Sequence, residues 1–212
     1  MLNLAEGLNA GLRSLGEDPD THPCALYLAY LELLSRWNRA YNLTGVRDPE
    51  RMLAYLLLDS LSILPFLRGE RCLDAGTGAG LPGLILALAR PKTNWTLLDS
   101  SGKKIRFLNR AIAELPAKNV QVAHSRLEDY QAEQPFMTIV SRALGSLPEF
   151  LSKSRHLLAP DGVLLAMKGA QPEAELHALD ARGIRITIHR LQVPGVDSKR
   201  SVVCIEAGAR SS

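Results

Sequence analysis

The sequence predicts an α/β fold: a doubly wound, mostly parallel sheet of seven strands preceded by a helical N-terminal extension. Three observations carry this. Up to residue 68, apolar side chains recur at helical spacing, and beyond that short apolar runs of strand length alternate with helical segments. The first of those runs ends in a glycine-rich turn, Asp74-Ala75-Gly76-Thr77-Gly78-Ala79-Gly80-Leu81-Pro82-Gly83, which opens a helix.

The first 20 residues suit a loosely patterned helix and a turn around Gly16-Glu17-Asp18-Pro19. Tyr27, Tyr30, Leu31, Leu34, Trp37 and Tyr41 fall on one face of a second, amphipathic helix. Asp48-Pro49-Glu50 supplies an N-cap and a first-turn proline, so a third helix is expected from there through Leu64, stopped by Pro65. Residues 1–68 are thus the extension and 69–212 the sheet domain. Strands are expected near 71–74, 94–98, 119–124, 136–141, 162–167, 184–192 and 201–206, with helices near 82–89, 101–114, 146–158 and 172–181. Only Pro194 to Arg200 separates the last two strands, so they should pair antiparallel. A parallel sheet ending in such a hairpin is the class I S-adenosylmethionine-dependent methyltransferase variation on the doubly wound fold.

A chain of 212 residues, 46% hydrophobic, can bury the core of one α/β domain with an extension and has no room for a second large domain. The longest apolar stretches, Leu53–Leu58 and Leu81–Ala89, fall far short of the roughly 20 residues that span a bilayer. The start, Met1-Leu2-Asn3-Leu4-Ala5-Glu6, lacks the basic and apolar regions of a signal peptide, so a cytoplasmic protein with no membrane partner is expected. Cys24, Cys72 and Cys204 form no C-x-x-C pair and the five histidines are dispersed, so no metal site is expected and the cysteines read as packing residues. The formal charge of residues 1–70 is −3, whereas 71–140 and 141–212 each carry +3. The positive excess sits on the sheet domain, where a polyanionic partner becomes plausible.

In the glycine-rich turn, Gly76, Gly78 and Gly80 remove Cβ atoms where the chain turns sharply and a ligand can approach the backbone. A dinucleotide fingerprint, Gly78-x-Gly80-x-x-Gly83, is present as well. Asp74, on the strand's carboxyl end, would repel a pyrophosphate and hold a cationic group, which favours S-adenosylmethionine with its ammonium and sulfonium. Asp99 ends the next strand roughly 20 residues on, where an acid can take a ribose hydroxyl pair or merely cap the next helix.

Trp37 through Thr44, Asp59-Ser60, Asp74 through Gly83, Leu97 through Ser100, Lys103 through Leu108, Ser141-Arg142-Ala143 and Lys168-Gly169 together closely resemble the bacterial glucose-inhibited division protein B family. These are the guanine-N7 methyltransferases of small-subunit (16S) ribosomal RNA, and the resemblance covers about residues 26–206. It implies S-adenosylmethionine as cofactor and a cofactor site at Asp74, Gly76, Thr77, Gly78, Gly80, Leu81 and Asp99. It further implies that Leu127 and Glu128 flank the adenine and that Arg142 reaches cofactor and substrate as the catalytic residue. The chain departs from the family pattern at Ala79, usually proline, and at Leu56, often histidine.

The residues themselves leave Glu128 open as an exposed loop charge and Arg142 as a structural ion-pair partner. The segment Ser141-Arg142-Ala143-Leu144 lacks the Pro-Cys of cytosine-C5 enzymes and the Asn/Asp-Pro-Pro-Tyr of amino-group enzymes. Guanine N7 carries a free lone pair and needs no catalytic base, which suits that segment. Lys103, Arg106 and Arg110 share a helix face, a row more commonly explained as a solvated face alone; combined with Lys168, Lys199 and Arg200 they are expected to form a basic rim for RNA phosphates. The expected partner is small-subunit ribosomal RNA, free or in a ribosomal particle, met by a monomer. A small-molecule methyltransferase or a noncatalytic RNA-binding protein of the same fold are the alternatives.

Overall fold

The computed structural model describes residues 3–142, 145–169, 173–176 and 183–207. Helix α1 (Leu4–Ser14) begins where the Asn3 side chain accepts a hydrogen bond from the Ala5 N–H. Helix α2 (Cys24–Tyr41) starts three residues before the apolar repeat and ends at Asn42, whose φ of 48° is the left-handed stop. Asp48 caps α3 (Pro49–Met52) by accepting from the Arg51 N–H, as its sequence position predicts. The rod then continues through a π-helical segment, Leu53–Leu58, into α4 (Asp59–Leu61). It ends at Leu61, short of the expected Leu64, and Pro65 sits in a separate 3-10 turn, Leu64–Phe66.

Seven strands follow: β1 (Arg71–Ala75), β2 (Asn94–Asp99), β3 (Val120–His124), β4 (Phe136–Ser141), β5 (Leu158–Lys168), β6 (Ile184–Leu191) and β7 (Arg200–Ala207). They form one sheet in the order β3-β2-β1-β4-β5-β7-β6. The first five run parallel, and β7 lies antiparallel between β5 and β6. Helices α5 (Gly83–Ala89), α6 (Gly102–Glu114) and α7 (Leu147–Ser154) complete the crossovers. α7 is shorter than expected because a 3-10 turn at Arg155–Leu157 delivers the chain early to β5, where Leu158 pairs with Phe136 across a register shift. Of the helix expected near 172–181, α8 (Glu173–Leu176) is observed and the rest lies outside the described residues.

The strand order reverses between β1 and β4, and a ligand crevice forms outside the carboxyl ends of strands at such a switch point. One face of the sheet packs against the N-terminal helices, α5 and α6, in a core running from Leu8 and Leu34 to Leu84, Trp95 and Val202. The other face packs against α7, with Leu73, Ile139, Phe150 and Leu164 at its centre. No helix among the described residues is long and apolar enough to cross a membrane.

Candidate functional site

β1 ends in the glycine-rich turn, and the turn is held by the side chain that the sequence places before it. Asp74 is wholly buried, and its Oδ2 accepts hydrogen bonds from Thr77 Oγ1 at 2.6 Å and from the Gly83 N–H at 2.7 Å. One oxygen of Asp74 is thus committed to tying both ends of the turn together, a role beyond the seat for a cationic group expected of it. Its Oδ1 is buried without a hydrogen-bond partner. Burial pushes the carboxyl up to about 6, opposed by Thr77, the Gly83 N–H and the positive field of Arg142.

Thr77 and Leu81 are both almost fully buried. Thr77 turns its hydroxyl to Asp74 and its N–H to the Leu98 carbonyl, 3.0 Å away, while Leu81 packs into the core. The open edge of the turn is made by Gly76, which is exposed, and the half-buried Gly78. Gly78 has φ +63°, and a Cβ there would have only Lys104 Nζ at 3.9 Å and Gly76 O at 4.0 Å as near neighbours. At Gly80 a Cβ would press on Leu108 at 3.0 Å and Leu84 at 3.1 Å, so that glycine serves packing.

Asp99 closes the cradle from β2. Its Oδ2 accepts from the Gly78 N–H at 2.9 Å and lies 3.4 Å from Lys104 Nζ, while Oδ1 accepts from the Ser101 N–H at 2.8 Å. It thus stands two residues ahead of the helix cap position, Ser101, and holds the loop as well. Leu127 is buried in the α7-side core, and Glu128 is exposed and 3.8 Å from Lys153 Nζ. An open edge at Gly78, an orphaned carboxylate oxygen on Asp74 and an acid at the end of β2 fit a ligand with a cationic amino-acid end and a ribose.

Two residues that hold this cradle were legible only as core or surface positions. Tyr30 of α2, fully buried, donates its hydroxyl to the Ala79 carbonyl at 2.7 Å, so the extension grips the loop directly. A buried tyrosine hydroxyl requires such a partner, which is the signal its helical face could have given. Lys104 lies one position off the basic row and faces Asp99.

Beside the cradle, past β4, a cleft of about 350 Å³ opens between the extension and the sheet. Tyr55, Leu56 and Asp59 line it from the π-helical rod, Thr44 and Val46 from the preceding loop, and Arg142, Lys168 and Arg200 from the strand ends. Leu56, where the family often has histidine, contributes an apolar wall. Buried Asn38 fixes the loop by accepting from the Thr44 N–H at 2.9 Å and donating to the Thr44 carbonyl at 3.0 Å. Asp59, almost fully buried, accepts from Arg200 Nε at 3.1 Å. Burial raises its carboxyl pKa, against the pull of Arg200 and Arg142. The charge of Arg142 thus acts on Asp74 in the cradle and on Asp59 in the cleft, which places it at the seam of the two.

The basic rim is less uniform than its residue types suggest. Lys168 Nζ is held by Glu175 at 2.9 Å and by the Gly145 carbonyl at 2.8 Å, Arg200 by Asp59, and Arg110 by Glu114 one helical turn on. These three of the six expected rim residues are paired within the chain. Lys103, Arg106 and Lys199 are exposed.

A family model described as rRNA small subunit methyltransferase G matches residues 24–203. The chain is 48% identical to the ribosomal RNA small subunit methyltransferase G of Ectopseudomonas mendocina, across 95% of each chain. It is 44% identical to that of Methylobacillus flagellatus (96% of this chain, 98% of the relative) and 42% identical to that of an Escherichia coli strain (98% and 99%). Among solved structures, the O-methyltransferase TomG from Streptomyces achromogenes, in complex with SAM, superposes with a TM-score of 0.60 at 16% identity, over 84% of this chain and 89% of that one. A SAM-dependent methyltransferase from Aquifex aeolicus gives 0.58 at 21% identity, over 77% and 96%. Both share the fold.

Proposed function

Because the chain belongs to the rRNA small subunit methyltransferase G family, we propose that it transfers the methyl group of S-adenosylmethionine to N7 of a guanine in small-subunit ribosomal RNA. The cofactor, when bound, supplies an electrophilic methyl carbon on a sulfonium. Gly78 leaves room for it against the backbone beside the exposed Gly76, Asp99 offers an acceptor for the ribose hydroxyls, and the unpartnered oxygen of Asp74 gives a negative end for the ammonium. Guanine N7 attacks with its own lone pair, so the protein has no proton to remove. What remains is alignment of base and methyl group, an effect that can lower a barrier by about 7–11 kcal/mol.

One observation supports N7 over an exocyclic nitrogen: the carboxylate lining the cleft, Asp59, is tied to Arg200 at 3.1 Å, and no histidine lines the cleft among the described residues. Arg142, at the seam, orients the base and faces the charge that shifts during transfer. A ribosomal RNA substrate sets the reaction in the cytoplasm.

Single-turnover methylation of small subunits isolated from a strain lacking this enzyme tests the reading. The rate is expected to be nearly flat across neutral pH, with the modified base mapped as N7-methylguanine. Arg142→Ala should slow transfer more than it weakens cofactor binding. A rate climbing steeply through a pKa near neutrality would require a deprotonated nitrogen and withdraw the N7 assignment.

A further inference from the structure

Tyr41, the last residue of α2, is the most exposed large hydrophobic side chain among the described residues, 40% accessible. Its ring lies on Trp37 with centroids 5.1 Å apart and planes inclined by 26°. Trp37 in turn meets Phe107 edge-on at 5.7 Å, and Phe107 is buried beneath it. The Tyr41 ring is therefore backed by a packed aromatic column and loses little freedom on binding. Lys103 Nζ donates to the Tyr41 carbonyl at 3.3 Å, and Arg39 and Arg106 are exposed on the same two helices. Three residues on, Thr44 lines the cleft beside Arg142. Three residues of chain span at most about 11 Å, and Asn38 clamps that span, so ring and cleft are fixed neighbours.

We infer that Tyr41 is a stacking platform for an unpaired nucleobase of the RNA substrate, adjoining the cleft that takes the target base. This rests on the proposed RNA methylation. A rigid, half-exposed aromatic ring flanked by cations matches the chemistry by which splayed-out RNA bases are held: the base stacks on the ring and its phosphate meets the cation. A target guanine in the cleft has to leave its own stack, and a neighbouring base held on Tyr41 keeps the strand open at that point. The cations favour RNA over an apolar protein partner.

The test compares wild type, Tyr41→Ala, Tyr41→Phe and Lys103→Ala for binding to a protein-free transcript of small-subunit RNA, to isolated small subunits and to S-adenosylmethionine. Tyr41→Ala is expected to weaken binding to both RNA forms by roughly 5- to 150-fold, the range of one lost base stack. Its salt slope and cofactor affinity should not change, since stacking releases no counterions. Tyr41→Phe should bind as wild type, and Lys103→Ala should lower the salt slope by slightly less than one unit. If Tyr41→Ala melts early, Tyr41→Leu, which keeps apolar packing on Trp37 without an aromatic face, is expected to show the same loss. Unchanged RNA affinity in the folded variant, an equal loss in Tyr41→Phe, or a loss seen with the particle and not with protein-free RNA would each overturn the platform. Wild type that transfers no methyl group would overturn the proposed reaction alone, because the binding comparison is read without transfer.

Discussion

A side chain at Gly78 would project into open space at the cradle's edge, whereas one at Gly80 would drive into Leu108 and Leu84. Both positions have positive φ, so a branched residue at either costs about 1–3 kcal/mol of backbone strain. Gly80→Val adds overpacking of similar size and is expected to lose about 2–6 kcal/mol of stability. Gly78→Val should keep most of its stability and lose at least tenfold in S-adenosylmethionine affinity by calorimetry; unaltered affinity would show that the ligand does not pass this edge. Asp74 gives a pH signature of its own. Its folded-state carboxyl lies at about 6 against 3.8 when free, so its contribution is fully present below 3.8 and declines as the pH rises to 6, by about 3 kcal/mol. Asp74→Asn keeps a carbonyl oxygen for Thr77 and Gly83 without the buried charge. Its melting temperature relative to wild type should therefore climb between pH 4 and 7, and a constant difference across that window would count against the raised pKa.

Among the elements, the rod from Pro49 to Leu61 matters because its middle hangs Tyr55, Leu56 and Asp59 over the cleft. Asp59 bonds Arg200 at the start of β7, which pins the rod to the sheet at the place where the cleft opens. Removing one partner of a buried ion pair costs about 3–5 kcal/mol, so Arg200→Ala should behave first as a folding mutant in thermal melts. Lys199→Ala, next door and exposed, should leave the melt alone and lower the RNA salt slope by slightly less than one unit. A double replacement would mix the two effects. If Arg200→Ala melted as wild type while RNA affinity fell, Arg200 would return to the basic rim. The rod's start was legible, because Asp48-Pro49 caps locally. Its π-helical segment was not, since a run of apolar residues reads the same at either pitch and the wider turn answers to the surfaces it packs against.

For the whole molecule, one core runs without a break from Leu8 and Tyr27 in the extension to Trp95 and Val202 in the sheet. A fragment of residues 69–212 would expose that face and is expected to lack a cooperative melt; a cooperative melt with S-adenosylmethionine binding would make the extension a separate unit. The sequence by itself determined what depends on neighbours a few residues apart. Helical spacing marked α2, alternating short runs marked the strands, the missing crossover after β6 marked the antiparallel hairpin, and the glycines after β1 with acids at 74 and 99 marked the cradle. Only the tertiary structure decided what each of those residues touches. Tyr30 meets Ala79 across 49 residues of chain and Arg200 meets Asp59 across 141, while Lys168 spends its charge on Glu175. Those contacts follow from strand order and helix packing, which bring distant segments together with no local periodicity to announce them. The same physics turned Asp74 and Thr77 inward: a carboxylate between a buried strand and a tight turn satisfies the turn's own donors first.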